Sequence, residues 1–233
     1  MNININILLT IFLAHFVFFL QAQEKQTAAA SFDKITVKGN ISVEYYLSDN
    51  SEIEVIKGQN ADFISYKIKN SKLVLKSKKT GSDQNKSASA TIYGGKLKQI
   101  TVTNGALIKT NNKPLSDTAK IAVSRGGDIY LKAGSRQIDV KVKTGGFLEL
   151  TGKTETLNLK VIFKGKFRGN KAEIKQAKVK ITTGGFAALD TNIEGKVNTF
   201  GEIAIYSERK TLNVKKSTKG KVTVNDNSVP SDL

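Results

Sequence analysis

Apolar and polar residues alternate along most of this chain. "FDKITVKG" (Phe32–Gly39), "ISVEYYL" (Ile41–Leu47) and "EIEVIKG" (Glu52–Gly58) all carry apolar side chains at nearly every second position. That period gives a strand one inward and one outward face. "FISYKIKNSKLVLKSK" (Phe63–Lys78) reads as a hairpin turning at Asn70–Ser71, since two short polar residues between alternating runs suit a tight turn. "KTGSDQNKSASA" (Lys79–Ala90) has no apolar period and reads as an exposed loop. "ATIYGGKLKQITVTNG" (Ala90–Gly105) then returns to strand. Beyond residue 22 no stripe of helical period has useful length, so the pattern predicts almost no helix.

From Gly105 onward the alternation becomes a repeat. Glycines stand at Gly105, Gly127, Gly146, Gly165, Gly185, Gly201 and Gly220, at steps of 16 to 22 residues. The second and fourth residues after them tend to be apolar: Ile129 and Leu131, Leu148 and Leu150, Ala187 and Leu189, Ile203 and Ile205, Val222 and Val224. Gly39 with Ile41 and Val43 follows the same rule, and Lys109 and Gly169 depart from it. A second alternating run precedes the glycines: Ile138–Val142, Leu157–Val161 and Ala177–Ile181.

A fixed period of this length means that each unit lies on the one before it, because one repeat cannot bury its apolar face alone. Stacking yields an inward column Ile129–Leu148–Phe167–Ala187–Ile203–Val222. Glycine suits a corner because positive φ costs it nothing sterically. The expected fold is all-β: a single-stranded β-solenoid, right-handed because parallel crossovers favour that hand, with rungs about 4.8 Å apart. A β-sandwich is the alternative, and it would show more Asn-Gly hairpin turns. Residues 32–224 form one β domain. Within it 32–103 supply a strand-rich N-terminal half and 104–224 the glycine-cornered rungs, with 225–233 a short tail.

Residues 1–22 are different. The apolar run Ile7–Leu20 is shorter than the roughly 20 residues of a membrane span, and "LQA" (Leu20–Ala22) offers a small residue for cleavage. These features read as a secretory signal peptide. The opening "MNININ" lacks Lys and Arg, and an uncleaved anchor is the alternative. The expected address is therefore periplasmic, cell-surface or secreted. With no cysteine, lipoprotein anchoring and disulfides are excluded, which suits a bacterial envelope protein better than a small disulfide-stapled domain.

The one histidine is His15, inside that leader. The remaining chain offers no Ser-His-Asp or Cys-His nucleophile, no usual zinc, haem or iron–sulfur ligand set, and no dense carboxylate loop for calcium. No cofactor, metal or catalytic residue is expected. "TGGF" and "RGGD" lack the lysine and helix of a phosphate loop and read as corners.

Lys and Arg total 37 against 20 Asp and Glu, a formal charge of +17, and none of these lies in residues 1–22. Such a surface attracts anions, with acidic polysaccharide or lipopolysaccharide the expected partners. No nucleic-acid-binding module accompanies the charge. Five residues before successive corner glycines stand Lys141, Lys160, Lys180, Lys196 and Lys215, with Ala122 at the equivalent place one rung earlier. In alternating runs these point outward and form one ladder of ammonium groups, which Lys143 and Lys178 would widen. The ladder is either an anion-binding stripe or a solvated sheet face on which lysine opposes unwanted pairing. Phe147 and Phe186 follow corners and point away from the core, where packing under a loop is favoured over stacking on sugar rings. Asp128, Glu149 and Glu202 form no recurring carboxylate pair of the kind glycoside hydrolysis needs. A lyase-like enzyme acting on polysaccharide is the alternative function, with Lys164, Lys166 and Arg168 its first candidates; a ligand-free structural role is the third.

"FDKITVKGNISVEYYLSDNSEIEVIKG", "LKQITVTNGA" and the serial glycine corners together resemble the family of the putative auto-transporter adhesin, head GIN domain. These are envelope or secreted proteins common in the Bacteroidetes. The likeness covers Phe32 to Val224. The family's corners typically read S-G-S-G followed by D-I, whereas here they read R-G-G-D-I (Arg125–Ile129), T-G-G-F (Thr144–Phe147 and Thr183–Phe186) and K-G-K (Lys164–Lys166 and Lys219–Lys221). The resemblance implies a β-helix-like fold and a non-catalytic, adhesin-like role, and it carries over no catalytic residues.

Overall fold

A computed structural model describes residues 31–49, 52–54, 63–77, 87–206, 211–217 and 219–225. Residues 1–22, read above as a signal peptide, most of the tail and most of Glu52–Gly58 lie outside the described residues. Strands take up 73% of what is described, with no helix, so backbone pairing between successive coils has to organise the molecule. In chain order the strands are β1 (Lys34–Lys38), β2 (Ile41–Leu47), β3 (Glu52–Glu54), β4 (Ile64–Lys69), β5 (Lys72–Ser77), β6 (Ala88–Gly94), β7 (Leu97–Thr103), β8 (Leu107–Thr110) and β9 (Leu115–Ser124). There follow β10 (Asp128–Lys143), β11 (Phe147–Ile162), β12 (Lys166–Gly169), β13 (Ala172–Thr182), β14 (Phe186–Leu189), β15 (Asn192–Val197), β16 (Glu202–Ile205), β17 (Leu212–Lys216) and β18 (Lys221–Val224).

The coils stack in parallel register as a β-solenoid. Each has a leading and a following segment, and from β7 to β16 the two are joined by a tight turn. Leading segments pair in the order β5, β1, β7, β9, the second half of β10, the second half of β11, β13, β15 and β17. Following segments pair as β6, β2, β8, the first halves of β10 and β11, β12, β14, β16 and β18. The long strands β10 and β11 run without interruption around the bend opposite the tight turn.

The expected inward column is present in register, Ile129↔Leu148↔Phe167↔Ala187↔Ile203↔Val222, and it extends back through Ile108 to Val43. Phe167 is fully buried and follows on Leu148; Ala187 above it is small. Gly169 leaves room for the Phe167 ring, since a Cβ there would sit 2.6 Å from Cε1.

The strand-rich N-terminal half joins the same stack, but not in chain order. β1 pairs with β5 on one side and β7 on the other, and β2 likewise lies between β6 and β8. The first described coil therefore lies inside the stack; the chain lays a later coil outside it and then crosses back to continue. The hairpin β4–β5 is antiparallel, with Asn70 and Ser71 at φ 52° and 54°. β4 against β5 and β3 against β6 close this end of the solenoid, covering edges that would otherwise offer unpaired backbone. Tyr45 is fully buried, donates its hydroxyl to the Gly95 carbonyl at 2.6 Å and meets the Phe32 ring edge-on. It thereby ties the inserted coil to the connection between β6 and β7. The expected loop 79–90 is described only from residue 87, and residues 88–90 already belong to β6.

The corners require a correction. The residues in left-handed backbone are the turn pairs Asn104–Gly105, Arg125–Gly126, Thr144–Gly145, Phe163–Lys164, Thr183–Gly184 and Thr199–Phe200. Positive φ at both central residues is the mark of a type I′ turn, and Gly146 closes one by donating to the Lys143 carbonyl at 2.9 Å. Of the proposed corner glycines only Gly105 has positive φ; Gly127, Gly146, Gly165, Gly185, Gly201 and Gly220 stand one place past the turn. Space, not φ, keeps them small: a Cβ at Gly146 would lie 3.0 Å from the Lys143 oxygen and from the Ser124 nitrogen. Ala106 occupies the equivalent place in the Gly105 coil, so the inward residues there are Ile108 and the polar Thr110, and Lys109 faces outward.

Candidate functional site

The alternation of the leading segments sends every second side chain outward, and in-register parallel pairing from β10 to β17 sets those side chains above one another. Lys141, Lys160, Lys180, Lys196 and Lys215 are direct register partners on successive coils. All five are exposed. Their column begins at Ala122, the partner of Lys141, and on the N-terminal side continues as Thr101, Thr36 and Val74. Lys178 stands in the neighbouring column with Lys120, Asp139, Asn158, Glu194 and Asn213. Lys143 lies on the other side of the ladder. A hydrogen bond and the charge of Lys143 hold the Lys141 ammonium below the usual lysine pKa, since a neighbouring cation disfavours the charged form.

Acidic side chains are scarce beside this column. Asp139 is half-buried, and its Oδ1 accepts from Gln137 Nε2 at 3.1 Å and Asn158 Nδ2 at 2.7 Å. A groove of about 350 Å³ opens at the Ala122 end of the ladder, with Lys120, Asp139, Lys141, Asn158 and Lys160 among its walls. A larger groove of about 700 Å³ lies at the opposite bend, where charges pair off: Lys153 with Glu173 at 2.7 Å and Lys175 with Glu155 at 2.8 Å. The Lys175 hydrogen bond draws the Glu155 carboxyl below its ordinary pKa.

The outward face of the following segments has another chemistry. Phe147 is half-buried, with the Tyr130 ring 5.7 Å away and the Arg168 guanidinium 5.7 Å from its centroid. Phe186 is also half-buried, between Lys166 and Glu202 in register. Tyr46 and Tyr93 stack at 5.3 Å. Their outward positions follow from alternation, but only register between β2 and β6, distant in sequence, brings these two rings together. Glu149 pairs with Arg168 at 3.4 Å and Glu202 with Lys221 at 3.0 Å. Asp128, Glu149 and Glu202 do not converge, Lys164 sits in a turn, and Lys166 lies between Phe147 and Phe186. Among the described residues no group of three or more His, Cys, Asp or Glu could hold a metal ion.

Asp128 sits in register between Leu107 and Phe147, and burial raises its carboxyl pKa. Its ionised form therefore opposes folding above the folded-state pKa, and this opposition fades as pH falls through that value. Asp128→Asn is expected to raise the melting temperature at neutral pH and to lose that gain at about pH 3, below the usual Asp range. Paired thermal melts at the two pH values check this.

Among the described residues no helix is long and apolar enough to cross a membrane. The family model described as "Putative auto-transporter adhesin, head GIN domain" matches residues 31–206. No curated protein sequence matches the chain significantly. Similar solved structures include a putative adhesin from Bacteroides fragilis, with TM-score 0.71, 17% identity and coverage of 88% of this chain and 98% of that one. One from Parabacteroides merdae has TM-score 0.68, 20% identity and coverage of 87% and 94%. A putative lipid binding protein from Parabacteroides distasonis has TM-score 0.55, 13% identity and coverage of 87% and 96%. At these identities the structures share a fold with this chain.

Proposed function

This chain belongs to the family of the putative auto-transporter adhesin, head GIN domain, and from that premise we propose that it is a non-catalytic binding module of the cell envelope or exterior. Its partner is an acidic polysaccharide laid along the ladder of Lys141, Lys160, Lys180, Lys196 and Lys215. The observation that carries this reading is the register of those five lysines on successive coils. Like charges about 5 Å apart repel by roughly 1 kcal/mol even in water, and a bound polyanion converts that repulsion into attraction. A linear polyanion lying along the stack meets a row of cations at the rung spacing of about 4.8 Å. The signal peptide read in the sequence and the family's adhesin description support an exported address and a surface partner over nucleic acid.

The test is retention of the protein on immobilised polygalacturonate across a salt gradient. Changing the five ladder lysines to glutamine is expected to weaken binding about a hundredfold or more at low salt, taking up to ~1 kcal/mol per lysine, with the difference shrinking at high salt. The control replaces five exposed lysines elsewhere: Lys96, Lys109, Lys132, Lys166 and Lys171. Equal losses in both sets would reduce the ladder to general surface charge. Binding to vesicles containing anionic lipid but not to polygalacturonate would overturn the polysaccharide reading.

A further inference from the structure

The ladder stops abruptly. Ala122 takes the place of a sixth lysine, and Thr101, Thr36 and Val74 continue the column without charge. At this step the surface becomes concave, forming the groove of about 350 Å³ that includes Gln99 as well as Lys120, Asp139, Lys141, Asn158 and Lys160. Its chemistry is not that of the ladder. Three exposed ammonium groups surround a carboxylate whose direction is set by the hydrogen bonds from Gln137 and Asn158 to Oδ1. Gln99 is braced as well, its Nε2 donating to Thr101 Oγ1 at 3.3 Å.

A stripe that only attracted polyanion would gain from a lysine at position 122 and would have no use for a carboxylate at 139. A sugar residue has both kinds of need. Its carboxylate wants cations, and its hydroxyls want an oriented acceptor and amide donors. We propose that this groove is a subsite for the terminal residue of an acidic polysaccharide, so that the protein recognises a chain end. The inference rests on the ladder reading and adds direction to it. Lys120, Lys141 and Lys160 hold the terminal sugar's carboxylate, Asp139 accepts from its hydroxyls through the oxygen not engaged by the amides, and Asn158 and Gln99 line the stop. The remainder of the polymer then runs along Lys180, Lys196 and Lys215.

Isothermal titration of the full mature chain with galacturonate oligomers of two to six sugars tests this, using wild type, Ala122→Lys and Asp139→Asn at one fixed ionic strength. Wild type is expected to bind short oligomers, with affinity rising as each added sugar meets another lysine. Both variants raise the net charge, yet both are expected to weaken trimer binding about tenfold or more. Reducing the oligomer's terminal sugar to its alditol, or capping the opposite end, should identify the seated end by a similar loss. Tighter trimer binding by either variant would overturn the subsite and leave the ladder standing. Wild type that is folded and binds no oligomer or polymer of galacturonate would overturn both. Asp139→Asn is nearly isosteric, so it keeps the test decisive if Ala122→Lys disturbs the strand.

Discussion

Ile35→Asp is expected to destabilise the protein by about 3–5 kcal/mol, the cost of an uncompensated charge in the interior. Ile35 is fully buried. It pairs with Leu73 in β5 on one side and Ile100 in β7 on the other. In a simple solenoid, stability is close to a sum of rung and neighbour terms, so damage at one end frays only that end. Here the first described coil is interior in space, and the coil of β5 and β6 docks on its outer side. Loss of β1 detaches the coil of β5 and β6 together with the covering strands β3 and β4. It also exposes β7 and β8. Val222→Asp in the last described coil supplies the contrast: that residue is only partly buried, and its substitution is expected to shift the urea midpoint far less. Urea melts followed by circular dichroism compare the two directly. If Ile35→Asp melts like Val222→Asp, the inserted coil is not holding the two parts of the stack together.

This contrast also marks how far the sequence could be read. Alternation identified the strands because each coil buries one face. The near-constant spacing from Gly127 onward placed Ile129, Leu148, Phe167, Ala187, Ile203 and Val222 in one column, since a fixed period leaves only one register for parallel stacking. The same periodicity located the five lysines. The insertion of β1 and β2 was not legible, because pairing between 34–47 and both 72–94 and 97–110 follows from no local period. The glycines were read correctly as marks of the corner but for the wrong reason. Threonine and even phenylalanine take left-handed positions at Thr144, Phe163, Thr183 and Phe200, beside glycine at Gly105, Gly126, Gly145 and Gly184, while the glycines one place further on, such as Gly146 and Gly165, stand where one coil's backbone touches the next. The groove at Ala122 was visible in sequence only as a missing lysine. Its character depends on Asp139, Asn158 and Gln99, which come from three different coils.

Gly152→Ala is expected to destabilise the protein by about 2–5 kcal/mol, combining left-handed strain with overpacking. Three glycines separate these two contributions. Gly145 lies at φ +68° in a turn tip, and a Cβ there would meet nothing within 4 Å, so Gly145→Ala should cost only the left-handed penalty of about 1–2 kcal/mol. Gly146 lies outside the left-handed region, but a Cβ would sit 3.0 Å from three backbone atoms, so Gly146→Ala should show the contact cost alone. Gly152 carries both burdens. Its φ is +83°, and a Cβ would collide with the Ala133 carbonyl oxygen at the bend where β10 and β11 turn together as Ala133↔Gly152 and Gly152↔Ala172. Neither neighbouring backbone can withdraw without breaking a ladder that continues on both sides. At about 2–4 °C per kcal/mol for a chain of this size, Gly152→Ala should lower the melting temperature by about 10 °C, and the other two by less. Thermal melts of the three variants decide the matter. If Gly152→Ala costs no more than Gly145→Ala, the bend can open to admit a side chain, and close approach of the coils does not constrain the solenoid at that corner.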